Sequence, residues 1–448
     1  MRKMVFIACT LTFCSQLSSN EKVAQKPPLG WNSFDAFYAT VTEQEVKDNA
    51  FYLKTLLASY GWEYIVVDYC WSYPTPGLQD NPPQTPEFVP ALAMDEHGRV
   101  LPSPGRFPSA SGGKGFKPLA DYVHNMGLKF GIHIMRGIPR QAVTWKSKVK
   151  GTSMTAADIA DTDSTCRWLN HMYGVDMTKK GAQEYYDSLF ELYAAWSVDY
   201  VKVDDISSPY HGPEIEAIHK AINRCGRPMV LSLSPGPTPI DRAEHVKKYA
   251  NLWRISGDFW DRWDALLKMF DLCAEWQTHI GSGNWPDADM LPIGRLGIRT
   301  RPGLGPHRWS NFTRDEQYTL LSMWCIFRSP LMIGGDLQQI DTFTLSLLNN
   351  PEVLSVNQNS TNNRQVFRDD KYAIWAADIP RSKDKYVAVF NLDKYLSRIK
   401  VELTSIGIET DAEVRDLWLR TDIGTFHSQF APVLHPHGGG LYRVLPVE

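Results

Sequence analysis

The apolar positions of this chain change period in a regular way. Runs such as Tyr64-Ile65-Val66-Val67 and Tyr200-Val201-Lys202-Val203-Asp204 are short and rich in β-branched or aromatic residues, the pattern of a strand. Between such runs apolar residues recur every three or four positions, as over 181–196, the pattern of an amphipathic helix. Taken in order, the pattern predicts strands over 28–34, 64–68, 128–135, 200–204, 229–233, 252–256, 287–291 and 331–334. Helices are expected over 42–59, 114–125, 181–196, 213–224, 242–249, 259–276, 314–327 and 342–348. The first opens on Thr42 with Glu45 three residues on, a capping box. Runs as apolar as 64–67 are buried on both faces, as in a parallel sheet. Eight strand–helix units close such a sheet into a (β/α)8 TIM barrel of the α/β class.

Two long segments interrupt the alternation. Nine prolines between Pro74 and Pro108 make residues 71–108 a long loop over the barrel mouth. Residues 137–176 hold many Ser and Thr and few apolar repeats, so a second substrate-facing loop is expected there. From about Asn363 short β-rich runs at 372–376, 386–390, 399–403, 414–417 and 440–444 replace the helices, the texture of a C-terminal antiparallel β-sandwich. The chain therefore divides into a leader and tether over 1–26, a catalytic barrel over 27–362 and a sandwich over 363–448.

In the leader, Arg2-Lys3 precedes an apolar stretch over 4–13, which reads as a secretory signal. Leu11-Thr12-Phe13-Cys14 loosely resembles a bacterial lipobox. Export is expected, to the periplasm or, with a lipid on Cys14, to the outer surface; that lipid is the only membrane attachment foreseen. No other stretch reaches ~18 uninterrupted apolar residues. The five cysteines beyond the leader are scattered and form no CxxC pair, so neither a zinc site nor a disulfide framework is indicated. No metal or cofactor is expected. A net charge of −3 gives no electrostatic reason to expect nucleic acid. Fifteen tryptophans incline the chain towards a carbohydrate partner, because indole rings stack on the apolar faces of sugars as well as filling cores.

Barrels of this kind carry their chemistry at the carboxyl ends of the strands. Those ends present Trp31, Asp68-Tyr69, His133 and Arg136, Lys202 and Asp204, Ser234, then Arg254 and Asp258. Alternation puts Lys202 and Asp204 on one face, and a lysine beside a carboxylate keeps it ionised, as a nucleophile must be. Asp205 is the rival of Asp204 but points to the other face if the strand continues. Asp258 is the acidic partner nearest the same rim, unless it merely caps the helix expected from Phe259. Two facing carboxyls are what acetal cleavage needs, at ~5–5.5 Å for a retaining and ~6.5–9.5 Å for an inverting enzyme.

Several ordered blocks carry a resemblance. Pro27-Pro28-Leu29-Gly30-Trp31-Asn32-Ser33-Phe34, Val67-Asp68-Tyr69-Cys70-Trp71, Tyr200-Val201-Lys202-Val203-Asp204, Trp253-Arg254 with Asp258, and Trp285-Pro286-Asp287-Ala288-Asp289-Met290-Leu291 resemble glycoside hydrolase family 27, the α-galactosidase (melibiase) family. So do Met323-Trp324 to Pro330-Leu331, Gly335-Asp336-Leu337 and Val356-Asn357-Gln358. The resemblance implies a retaining exo-glycosidase that releases terminal α-D-galactosyl residues by double displacement. Asp204 would be the nucleophile and Asp258 the general acid that later becomes the base. Lys202 and Arg254 would hold sugar hydroxyls, Asp68 would accept hydrogen bonds from them, and Trp31 would form an apolar wall. His133 falls where the family usually has a tyrosine, and Asp287 and Asp289 are expected as supports.

The sequence departs from the family pattern in three places. Tyr69 stands where the family commonly has a second aspartate, expected to read an axial hydroxyl. Ser232-Leu233-Ser234-Pro235 replaces a Cys-Glu-Trp segment, and Asp205-Ile206 leaves no cysteine after the nucleophile. Tyr69 and Ser234 keep open a β-L-arabinopyranosidase, whose sugar has the ring arrangement of galactose without C6, and an α-N-acetylgalactosaminidase. Two other classes are weaker. A metal-dependent barrel hydrolase predicts a His-x-His after the first strand, where Gly30-Trp31-Asn32-Ser33 stands. A catalytically silent sugar-binding protein has no need of both carboxyls and Lys202.

Overall fold

The computed structural model describes residues 23–74, 91–299 and 307–447. The leader through residue 22, Cys14 included, and the middle of the proline-rich segment lie outside them. Eight strands, β1 (Leu29–Asn32), β2 (Tyr64–Val67), β3 (Lys129–Met135), β4 (Tyr200–Asp204), β5 (Val230–Leu233), β6 (Leu252–Arg254), β7 (Trp285–Asp287) and β8 (Leu331–Ile333), form one parallel sheet. Its order is β7-β6-β5-β4-β3-β2-β1-β8. The ends meet where Leu291, just past β7, pairs in parallel with Ile333. There the Leu291 amide donates to Met332 O (2.7 Å) and the Gly334 amide to Leu291 O (3.0 Å). The sheet is thus a closed (β/α)8 barrel, as the alternating pattern predicts.

Strand parity divides the apolar side chains into two cores. Tyr64, Val66, Tyr200, Val230, Leu252, Trp285 and Met332 fill the barrel interior. Their neighbours Ile65, Val67, Val201, Val203, Leu231, Trp253 and Ile333 pack outward against the helices. Burying one such aliphatic or aromatic side chain contributes roughly 1.5–3 kcal/mol, so a shift of register by one residue is strongly opposed. Parity also decides which polar side chain at each strand end looks into the mouth.

The helix predicted from Thr42 runs Glu43–Leu56 behind the capping box, with both Thr42 and Glu45 engaged. The helix Arg314–Phe327 matches its expected bounds. The helix expected from Phe259 begins instead at Trp263, so Asp258 does not cap it. The segment 137–176 is not an open loop. It contains a three-stranded antiparallel sheet of Ile138–Pro139, Ala160–Thr165 and Met172–Val175, held by few but buried apolar anchors such as Ile138 and Ile159. Pro351–Asn359 is a further helix, with Asn350 as N-cap and proline in its first position, a start signal legible in sequence.

The C-terminal part is antiparallel. Six strands pair in the order Thr361–Arg368, Tyr372–Asp378, Lys385–Asn391, Gly439–Pro446, Ala412–Asp416, Thr421–Phe426. Two short ribbons, Ser397–Arg398 with Val433–Leu434 and Val401–Glu402 with Gln429–Phe430, cover one face and enclose a core that includes Val387, Val389, Ile406, Phe430 and Val444. This is a β-sandwich. The other face lies on the barrel: Trp375 meets Phe327 edge-on at 6.3 Å, Arg415 grips Glu352 with two 2.8 Å bonds, and Trp418 Nε1 donates to Ser322 Oγ (2.9 Å). No helix among the described residues is long and apolar enough to cross a membrane.

Candidate active site

A cleft of about 340 Å³ opens at the carboxyl ends of the barrel strands, lined by Phe34, Asp35, Tyr38, Asp68, Tyr69, Trp168, Lys202, Asp204, Ser234, Arg254, Asp258, Trp260 and Asp289 among others. Its polar floor is built by parity. Asp68 one step past β2, Lys202 and Asp204 of β4, Ser234 one step past β5 and Arg254 of β6 all continue the interior-facing series of their strands. Seven of the nine site residues expected from sequence line this one cleft: Asp68, Tyr69, Lys202, Asp204, Ser234, Arg254 and Asp258.

Asp68 is the most heavily bonded of the acids. It accepts from Asn32 Nδ2 (2.7 Å), Lys202 Nζ (3.0 Å) and the Tyr69 amide (2.9 Å). Burial pushes its carboxyl up, but Lys202, His133 and the hydrogen bonds outweigh burial and hold it well below the usual range. Lys202 stays charged for the complementary reason: burial lowers it, and Asp68, Asp204 and Asp289 together raise it further. Asp204 accepts from the Asp205 amide (3.0 Å) and sits 3.2 Å from His133 Nε2. A carboxylate can only accept, so the histidine nitrogen donates. Burial raises Asp204, yet the His133 hydrogen bond and the nearby positive charges leave its pKa below the ordinary value. Asp204 is therefore an ionised, oriented carboxylate facing the cleft.

Asp205 is excluded from the cleft by its backbone. Its φ of 58° ends the strand in the left-handed region, and its side chain turns to Arg136 (2.8 Å). Arg136 also pairs with Glu214 (2.7 Å) and donates to Ser164 Oγ (3.1 Å), while Tyr186 OH donates to Glu214. Arg136, expected at the rim, belongs to this buried network beneath the inserted sheet.

Asp258 differs in kind. It stands on the loop after β6 with its side chain 62% exposed, 3.5 Å from Arg254 Nη2. The same guanidinium is held by Asp289 at 2.7 Å. Asp289 in turn accepts from the Phe259 amide (2.7 Å), so it braces the loop that carries Asp258. Burial raises the Asp289 carboxyl, with Arg254 opposing.

Two expected site residues stand elsewhere. Trp31 is fully buried, donates through Nε1 to Gly335 O (2.9 Å) and meets Phe37 edge-on at 6.3 Å. It has the outward parity of β1, and Asn32 is the residue that looks inward. His133 is nearly buried and does not line the cleft; it lies behind Asp204, edge-on to the Tyr69 ring at 5.8 Å. The apolar wall comes instead from Phe34, Tyr38, Tyr69 and Trp260, with Phe34 to Tyr38 at 5.0 Å, Tyr38 to Tyr69 at 5.5 Å and Phe34 to Trp260 at 6.4 Å. Lys202 Nζ stands 5.9 Å from the Phe34 ring centre. Phe34 follows β1 by two residues, a position that strand parity alone does not aim. Trp168 reaches the cleft from the inserted segment, and nothing in the local sequence marks it. Among the described residues no group of three His, Cys, Asp or Glu side chains is placed to hold a metal ion.

Comparison with known proteins agrees with this arrangement. Residues 173–359 match the family described as alpha galactosidase A, and residues 369–444 match the alpha galactosidase C-terminal beta sandwich domain. A GH27 β-L-arabinopyranosidase from Geobacillus stearothermophilus, solved in complex with arabinose, is 52% identical, with a TM-score of 0.91 over 95% of this chain and 98% of its own. A Bacillus halodurans structure, provisionally described as an α-N-acetylgalactosaminidase, is 50% identical, with a TM-score of 0.85 over 94% and 98% of the two chains. Alpha-galactosidase 2 of Arabidopsis thaliana is 26% identical over 98% of this chain and 96% of its own. Half of all positions shared with a family 27 enzyme along nearly the whole chain leave one conclusion: this protein belongs to glycoside hydrolase family 27 and is a glycoside hydrolase.

Proposed function

We propose that this glycoside hydrolase removes single terminal pyranosyl residues with retention of configuration, and that its preferred glycone is β-L-arabinopyranose rather than α-D-galactose. The observation that carries the preference is Tyr69. Beside Asp68, where the family commonly has a second carboxylate, stands a phenol ring packed among Phe34, Tyr38 and His133. The two sugars share their ring arrangement and differ in the hydroxymethyl group at C6. A carboxylate that reads the axial hydroxyl also stands beside a hydroxymethyl on the adjacent ring carbon; an aromatic wall there offers that polar group no such partner, and a hydroxyl taken from water without a partner loses about 1–3 kcal/mol. The 52% identical relative, a β-L-arabinopyranosidase, supports the same reading. Ser234 on the cleft wall supports an α-N-acetylgalactosaminyl glycone as the second reading.

In the proposed reaction Asp204 attacks the anomeric carbon while Asp258 gives its proton to the glycosidic oxygen, and the aglycone leaves as an alcohol. The covalent glycosyl ester on Asp204 no longer carries a charge. Asp258, ionised by its proton transfer in the first step, then takes a proton from a water as that water attacks the same carbon and frees Asp204. The environments suit these roles: Asp204 is buried and ionised, whereas Asp258 stands exposed on its loop, where a leaving aglycone can meet it. Asp68 and Lys202 would hold ring hydroxyls. A cleft of about 340 Å³ is at the small end of ligand pockets, which suits one terminal sugar rather than a chain threaded through.

The test is a panel of nitrophenyl glycosides with kcat/KM measured for each. β-L-Arabinopyranoside should exceed α-D-galactoside, and NMR of the first-formed sugar should show the substrate's anomeric configuration. A galactoside turned over faster than the arabinopyranoside would defeat the preference, and an inverted product would defeat the double displacement.

A further inference from the structure

We propose that Asp35 is a further substrate-binding residue, a carboxyl that reads a glycone hydroxyl at the rim position left open by the eighth strand. The inference rests on the glycosidase reading above and concerns the same cleft. Seven strand ends bring a polar side chain to the barrel mouth or its margin: Asn32, Asp68, His133, Asp204, Ser234, Arg254 and Asp287. The eighth ends in Gly334-Gly335 and brings none. A Cβ on Gly334 would stand 1.9 Å from Asp35 Oδ2, so the Asp35 carboxyl occupies the space that a side chain of the eighth strand would fill. The chain reaches this place from β1: Asn32 Oδ1 accepts from the Phe34 amide (2.9 Å), and the turn Phe34–Phe37 that follows lays Phe34 on the cleft wall and Asp35 on its floor.

Three properties separate Asp35 from a carboxyl that only supports the fold. It lines the cleft. It is 5% exposed, and its Oδ2 has no hydrogen-bond partner among the described residues, unlike Asp289 and Asp261, whose carboxyls are engaged by protein donors. Its surroundings are acidic: burial raises its pKa well above the ordinary value, Asp289, Asp258 and Asp261 raise it further, and only Lys202 opposes them. A buried carboxyl that keeps its proton offers one donor and one acceptor, a match to a sugar hydroxyl, which is both. Leaving such a group unpaired is costly. A site built to bond a hydroxyl rejects the analogue lacking it far more strongly than an apolar pocket can.

Asp35→Leu keeps the branched shape against Gly334 and removes both polar atoms, while Asp35→Asn keeps a donor and an acceptor. With nitrophenyl β-L-arabinopyranoside and α-D-galactoside, Asp35→Leu should lower kcat/KM about 100-fold, and Asp35→Asn should stay within about tenfold of wild type. Melting temperature should hold or rise in Asp35→Leu, since an unpaired buried carboxyl is removed. A set of monodeoxy glycosides then supplies a readout that a structural role does not move. Wild type should discriminate against one of them about 100-fold, and Asp35→Leu should lose that discrimination. An active wild type equalled by Asp35→Leu on every substrate overturns the assignment and leaves the glycosidase reading standing. Loss of activity in Asp35→Leu with discrimination against all deoxy sugars unchanged also overturns it. A wild type inert towards every glycoside takes down the proposed activity itself.

Discussion

His133 Nε2 lies 3.2 Å from Asp204 Oδ2, a diagonal contact between neighbouring strands whose register sets His133 beside Lys202 and Met135 beside Asp204. The imidazole reaches the carboxylate from behind, out of the cleft. We propose that it positions Asp204, and it offsets part of the burial that would otherwise favour the protonated acid.

The sign of its effect follows. Burial raises the Asp204 pKa, while the His133 hydrogen bond and the charges of His133 and Lys202 lower it. His133→Phe removes the donor, so Asp204 takes up its proton at a higher pH. The acidic limb of the kcat/KM profile should therefore move to higher pH. A pH–rate profile checks it; a limb that stays in place shows that Lys202 alone keeps Asp204 ionised.

Asp204 and Asp258 should separate by leaving group. Asp204→Asn lowers turnover by several orders of magnitude on every substrate. Asp258→Ala should cost about 10³-fold on a disaccharide, whose alkoxide needs a proton, and about tenfold or less on a dinitrophenyl glycoside, whose phenolate does not. Steady-state rates on the two substrates decide it, and equal losses on both would remove Asp258 from the role of acid.

Tyr69→Asp restores a carboxylate beside Asp68. The ratio of α-D-galactoside to β-L-arabinopyranoside kcat/KM should rise about tenfold, measured on the matched nitrophenyl pair. An unchanged ratio shows that C6 is accommodated away from residue 69.

Arg136→Met leaves Asp205 and Glu214 buried without their cation, a change that costs roughly 3–5 kcal/mol. Burial already raises both carboxyls against the pull of Arg136. Without the arginine their folded-state pKa values climb further above those of the unfolded chain. The penalty is then fully felt above the folded values and relieved as pH falls and both take up protons. Thermal melts at pH 8 and pH 5 should show the larger loss at pH 8; equal losses would mean that lost packing, not charge, is the cause.

Much of the site was legible in the one-dimensional pattern because a strand has period two. Parity along the eight strand runs aims Asp68, Lys202, Asp204 and Arg254 at a common mouth, and the ordered blocks that resemble family 27 carry the family identity. The same parity counts against Trp31, which shares the outward face with Leu29 and packs in the layer between strands and helices. Residues past the strand ends escape this rule. Phe34, Asp35 and Trp168 are placed by turns and by the inserted sheet, and Asp258 by a loop braced from Asp289, two residues past the seventh strand.

The barrel, the sandwich and the placement of Asp204 and Asp258 at one strand-end mouth were legible along the chain, since periodicity and local chemistry are properties of neighbours in sequence. The folded arrangement is what sets His133 behind its carboxylate and Arg136 against Asp205. It alone filled the gap above Gly334 with Asp35. Such relationships join residues tens to hundreds of positions apart, and the closing of the barrel alone brings them within a few ångströms.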